Sequence, residues 1–124
     1  MKHVNLRPAS VRVFGRLYGI RFVDQLVNDD GDQLLGLCDK NALTIWVLTG
    51  QHPFEEADTV LHEILHAVYD VLQMDPEVDC DEESVASKFA SGIMGVLADN
   101  PDLFPYIQAA LSRQAALLTP KRTR

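Results

Sequence analysis

A chain of 124 residues, 47% hydrophobic and 23% charged, is the size of one domain and can bury a core without outside staples. Its net charge of −7 is unevenly laid out: residues 1–21 carry five bases and no acid, residues 22–112 carry all 18 acids against two bases, and the last twelve carry four bases. This disfavours a broad nucleic-acid groove at the acidic centre, and the two distant cysteines, Cys38 and Cys80, argue against a disulfide framework or a thiolate zinc ribbon.

Residues 19–27, Gly-Ile-Arg-Phe-Val-Asp-Gln-Leu-Val, alternate as a half-buried strand and are stopped by Asn28-Asp29-Asp30-Gly31. That turn is not a calcium loop. With Gly31 at the sixth position, Leu26 and Leu37 fall where the first and last carboxylates belong. Leu34–Cys38 reads as a second short strand and Leu43–Leu48, rich in β-branched and aromatic residues, as a third. Three successive strands predict an antiparallel meander.

From Glu55 to Leu72 the period becomes helical, with Val60, Leu61, Ile64, Leu65, Val68, Val71 and Leu72 on one stripe. Asp79-Cys80-Asp81-Glu82 has the form of a capping box, with Asp79 as N-cap, so a second helix starts near Cys80 and closes at Asn100-Pro101. Pro105 suits the first turn of a last helix running to about Leu118. Residues 119–124 form a short basic tail, expected to be solvated. The expected fold class is α+β: a small antiparallel sheet packed on the 55–72 helix with two further helices, as a single domain over residues 1–124. No apolar run is long enough for a membrane span and no secretory leader is visible, so a soluble, cytoplasmic protein is expected.

The residues that carry chemistry are His62, Glu63 and His66, in Leu61-His62-Glu63-Ile64-Leu65-His66. Histidines four apart on a helix point the same way and can share one ion. Two imidazoles leave a tetrahedral Zn2+ room for a third ligand and a water, and an adjacent carboxylate can take that water's proton. The bland alternative is an amphipathic helix with two surface histidines. For the third ligand the candidates are Glu83, Glu82 and Cys80. Glu83 is preferred because it shares a stripe with the small residues Ala86, Ser87 and Ala90, whereas Glu82 serves the capping box. Asp70 and Thr59 lie on the histidine stripe and could orient an imidazole; Tyr69, His3 and His52 are candidate oxyanion donors.

With these residues in place, the chain resembles the ImmA/IrrE family of small zinc metallopeptidases over roughly residues 34–98. The resemblance rests on Leu35–Asp39, the Leu43–Leu48 strand, the HEXXH motif from His62 to His66, and Glu83 followed by Ser84-Val85-Ala86-Ser87-Lys88-Phe89-Ala90. It implies a zincin-like fold, zinc held by His62, His66 and Glu83, Glu63 as the catalytic glutamate, and hydrolysis of one specific protein substrate, such as a repressor of the same phage or mobile element. Ser87 departs from the asparagine often found there. Peptidases of the SprT type also use HEXXH but typically add a downstream histidine, and none follows His66. The alternative from another class is a zinc-containing interaction module that binds without hydrolysis, for which an intact Glu63 would be superfluous.

Overall fold

The computed structural model describes residues 7–118, with side chains to residue 113; His3 and the 119–124 tail, both singled out above, lie outside the described residues. The chain opens with a hairpin, β1 (Ser10–Val13) and β2 (Arg16–Val23), in register Val13↔Arg16. Its two-residue turn, Phe14-Gly15, has φ of 48° and 85°, the left-handed pair that matches the twist of paired strands. β2 therefore begins three residues before Gly19, and it stops at Val23. Beyond it, Val27 bridges Gln33 across a turn in which the Asn28 side chain accepts hydrogen bonds from the N–H groups of Asp30 and Asp32.

Two further strands follow, β3 (Gly36–Asp39) and β4 (Thr44–Leu48), giving the sheet order β1-β2-β4-β3. The sheet is mixed, which corrects the expected antiparallel meander: β2 and β4 run parallel, while β1·β2 and β3·β4 are antiparallel. The physical reason lies in residues 24–35, a connection too long for a tight hairpin. It leaves a strand's width between β2 and β3, and β4 fills it. The Leu43–Leu48 segment is consequently interior, and the strand edges belong to β1 and β3. At β1 the edge is occupied, because the Asn100 side chain accepts from the Arg12 N–H and donates to the Arg12 carbonyl, both at 2.7 Å. The edge of β3 has no such cover among the described residues.

One sheet face is buried. Val11, Val13, Tyr18, Ile20, Ile45 and Val47 meet Val60, Ile64, Ala67 and Val68 of the first helix, α1 (Pro53–Val71). Pro53 in its first turn needs no N–H partner. Glu56, only 6% exposed, accepts from the Tyr106 hydroxyl at 2.7 Å and from Arg7 at 2.7 and 3.0 Å. Burial, then the bond to Glu56, raises the Tyr106 phenol pKa above its ordinary range.

The second helix, α2 (Glu82–Asp99), starts with Asp81 as N-cap, its side chain accepting from the Ser84 N–H. The expected cap, Asp79, has another task. It is buried and accepts from Lys88 Nζ at 2.6 Å, Ser84 Oγ at 2.7 Å and the Asp75 N–H at 2.9 Å. The Lys88 ammonium, chiefly, holds the Asp79 carboxyl down to about 2. The third helix, α3 (Leu103–Leu118), packs on α1. Among the described residues, no helix is long and apolar enough to cross a membrane.

Candidate metal centre

α1 turns its apolar stripe to the sheet and leaves His62 and His66 exposed on the opposite flank. Their Nε2 atoms stand 3.3 Å apart, with ring centroids at 4.9 Å and planes at 73°. Two zinc–nitrogen bonds of about 2.05 Å at a tetrahedral angle place their nitrogens about 3.3 Å apart. The same separation is within reach of an N–H···N hydrogen bond between the rings, so the pair can either share a proton or hold one ion.

Glu63 lies about 100° further round the helix, 6% exposed and tucked beneath β3. Its carboxylate makes no hydrogen bond among the described residues. Burial raises its pKa, and the two imidazoles partly offset that rise. A carboxylate with no donor, next to two imidazoles, suits an ion or its bound water. The room for it comes from Gly36. A Cβ there would lie 2.6 Å from Thr59 Cγ2 and 2.8 Å from Glu63 Oε2. Thr59 is β-branched and stiff, so it cannot yield by rotation alone. Gly36→Ala should therefore lift β3 off α1 and lower stability by about 1–3 kcal/mol. Urea unfolding checks this, and an unchanged midpoint would show that the strand adjusts freely.

Glu83 is not brought to the pair. It is exposed in the first turn of α2, and among the described residues no group of three His, Cys, Asp or Glu side chains is gathered that could hold a metal. The reason is where the helices cross. α1 and α2 meet through the second half of α2: a Cβ at Gly92 would collide with Val68, and Ile93, Val96 and Leu97 face Leu61, Ile64, Leu65 and Val68. Glu83 lies nine residues before that crossing, about 14 Å along the axis. Glu82 and Cys80 are likewise exposed, with the Cys80 thiol 3.9 Å from the Glu77 carbonyl.

The proposed orienting partners are engaged elsewhere. Asp70 pairs with Arg16 at 3.2 Å and Lys40 at 4.0 Å, and Thr59 donates to Gln51 Oε1 at 2.8 Å. Gln51 in turn donates to the Leu48 and Leu35 carbonyls at 2.8 and 3.3 Å, tying the ends of β3 and β4 to α1. His52 precedes α1 and is about 15 Å along the axis from His62. Tyr69 shares the histidine face.

Two neighbours of the site carried no signal in the sequence. Cys38, half-buried on β3, has its thiol pushed up to about 11 by burial and then by the Glu63 charge, so it is a neutral thiol at neutral pH. The Tyr18 hydroxyl is buried and makes no hydrogen bond of good geometry among the described residues; its pKa is raised first by burial and then by the nearby Cys38, and the adjacent Arg16 guanidinium offsets part of the rise. Only the strand order, which sets β2 and β3 one strand apart, brings these groups together. Comparison of this chain with protein-family models, with characterised proteins and with solved structures yields no match.

Proposed function

We propose that this protein is a zinc-dependent peptidase acting on a specific protein substrate, such as a repressor, with His62 and His66 as metal ligands and Glu63 as general base. The observation that carries this reading is the 3.3 Å separation of the two Nε2 atoms beside a carboxylate with no hydrogen-bond donor. The likeness to ImmA/IrrE peptidases, and with it a zincin-like identity, rests on the sequence motifs alone. When bound, zinc would lower the pKa of a coordinated water and polarise a substrate carbonyl. Glu63, under β3 beside the histidines, would accept a proton from water at the histidine face and deliver it to the leaving amine. Its burial raises the carboxyl pKa in the direction that favours this exchange. The free edge of β3, running beside the histidine helix, could align an extended substrate by strand addition.

Glu83 stays the proposed third ligand on the strength of the motif. Its exposed place on α2 supports the second reading, a zinc-containing interaction module of a phage or mobile element that is catalytically silent. Elemental analysis of untagged protein, purified without a histidine tag and offered zinc, tests the core of both. About one zinc per chain is expected for the wild type, none for His62→Ala, and a reduced content for Glu83→Ala. No zinc in the wild type would leave His62 and His66 as surface residues of a structural helix.

A further inference from the structure

The helices cover only one face of the sheet. On the other, the outward residues are Ser10 and Arg12 of β1, Leu17, Gly19, Arg21 and Val23 of β2, Thr44, Trp46 and the buried Leu48 of β4, and Leu37 and Asp39 of β3, the Asp39 carboxylate accepting from the Asn41 and Ala42 N–H groups. Leu17 is 49% and Leu37 41% exposed. Arg12 and Arg21 are exposed, and neither guanidinium has an ion-pair or hydrogen-bond partner among the described residues. In a chain of net charge −7, the β1 and β2 side of this face is an apolar surface with two cations, and its one acid, Asp39, lies across the sheet on β3.

Gly19 is the second observation. It sits within β2 between Ser10 and Thr44, its φ is not positive, and a Cβ there would meet nothing within 4 Å. Neither backbone conformation nor crowding explains a glycine in mid-strand, where it weakens the sheet; such a glycine often marks close approach by another backbone or a ligand.

We propose that this face docks an extended, acidic and apolar segment of a partner protein. Arg12 lies opposite Leu17, and Arg21 lies four residues further along β2, so the two guanidinium stems are rooted about 14 Å apart. On an extended segment that span separates side chains i and i+4, both pointing to the same side. Carboxylates at i and i+4 meet Arg12 and Arg21, and an apolar side chain at i+2 settles over Gly19 beside Leu17 and Trp46. A nucleic acid fits less well. Only two cations face it, too few for the run of phosphate contacts that a continuous polyanion needs.

Trp46 is the single tryptophan of the chain and reports on this face directly. The experiment titrates full-length protein with a synthetic nine-residue peptide holding Asp, Leu and Glu at every second position, following Trp46 emission. A saturable change that weakens with salt is expected. It should weaken about tenfold for the Arg12→Glu/Arg21→Glu variant, whose fold is checked by circular dichroism, and vanish for a peptide with lysines in place of the acids. Equal responses to acidic and basic peptides, or no response at millimolar peptide, would overturn the proposal. So would tighter binding of a single-stranded oligonucleotide. An emission change on concentrating the protein alone, with a dimer in sedimentation, would assign the face to a second copy instead. None of these outcomes depends on His62, Glu63 or His66.

Discussion

Replacing Glu63 by Gln is expected to cut hydrolysis by about 10²–10⁴-fold, the usual contribution of a positioned general base. Zinc content should not change, since His62 and His66 keep their ring nitrogens. The direction of the stability change separates this residue from an ordinary core acid. In the metal-free protein Glu63 is a 6% exposed carboxylate with no hydrogen-bond donor, and the two imidazoles offset only part of its desolvation. A neutral amide of the same shape removes that penalty, and the melting temperature of metal-free Glu63→Gln should equal or exceed that of the wild type. Thermal unfolding in a chelator, together with an activity assay on the substrate, makes the check. Undiminished hydrolysis would end the general-base assignment. A melting temperature several degrees lower would mean that the carboxylate holds β3 in place.

The opposite outcome is expected at Glu56, one turn into the same helix. Glu56→Ala leaves the buried Tyr106 hydroxyl without an acceptor and frees Arg7 from α1. A buried hydroxyl left unsatisfied costs about 1–3 kcal/mol. The Arg7 pair adds a smaller share, because that side chain is 41% exposed and screened by water. The total loss should be about 1–4 kcal/mol. Glu56→Gln, which can still accept from Tyr106, should lose less. Urea unfolding of both variants and of Tyr106→Phe tests this. If Glu56→Ala and Tyr106→Phe each shift the midpoint negligibly, the three-way contact does not stabilise the fold.

The two carboxylates show how little of their roles could be read from residue type. Both are glutamates on one amphipathic helix, and both are buried. Their difference lies in what the neighbouring elements present: Tyr106 and Arg7 at Glu56, but the bare backbone of Gly36 and the neutral Cys38 thiol at Glu63. Likewise Asp79 looked like an N-cap from its spacing to Glu82, yet Asp81 caps the helix and Asp79 is spent on Lys88, Ser84 and the Asp75 N–H. Acidic residues two apart offer the same local chemistry. The packing of the connector chooses between them.

The first hairpin strand is not legible in the sequence because Phe14-Gly15 is a weak turn signal, with phenylalanine seldom placed at positive φ. The helices were legible, including the ends of α1 to within two residues, because the period of apolar residues is a local property of the chain.

By itself the sequence determined an α+β protein with an amphipathic helix that sets His62 and His66 on one face, since four residues make nearly one full helical turn. The tertiary structure decided everything that depends on residues far apart in the chain. It inserted β4 between β2 and β3, left β3 as the open edge among the described residues, brought Gly36 down onto Glu63, and crossed α2 over α1 at Gly92, nine residues after Glu83. Strand order and helix crossing are set by which apolar surfaces fit together, and the spacing of residues along one element carries no record of that choice.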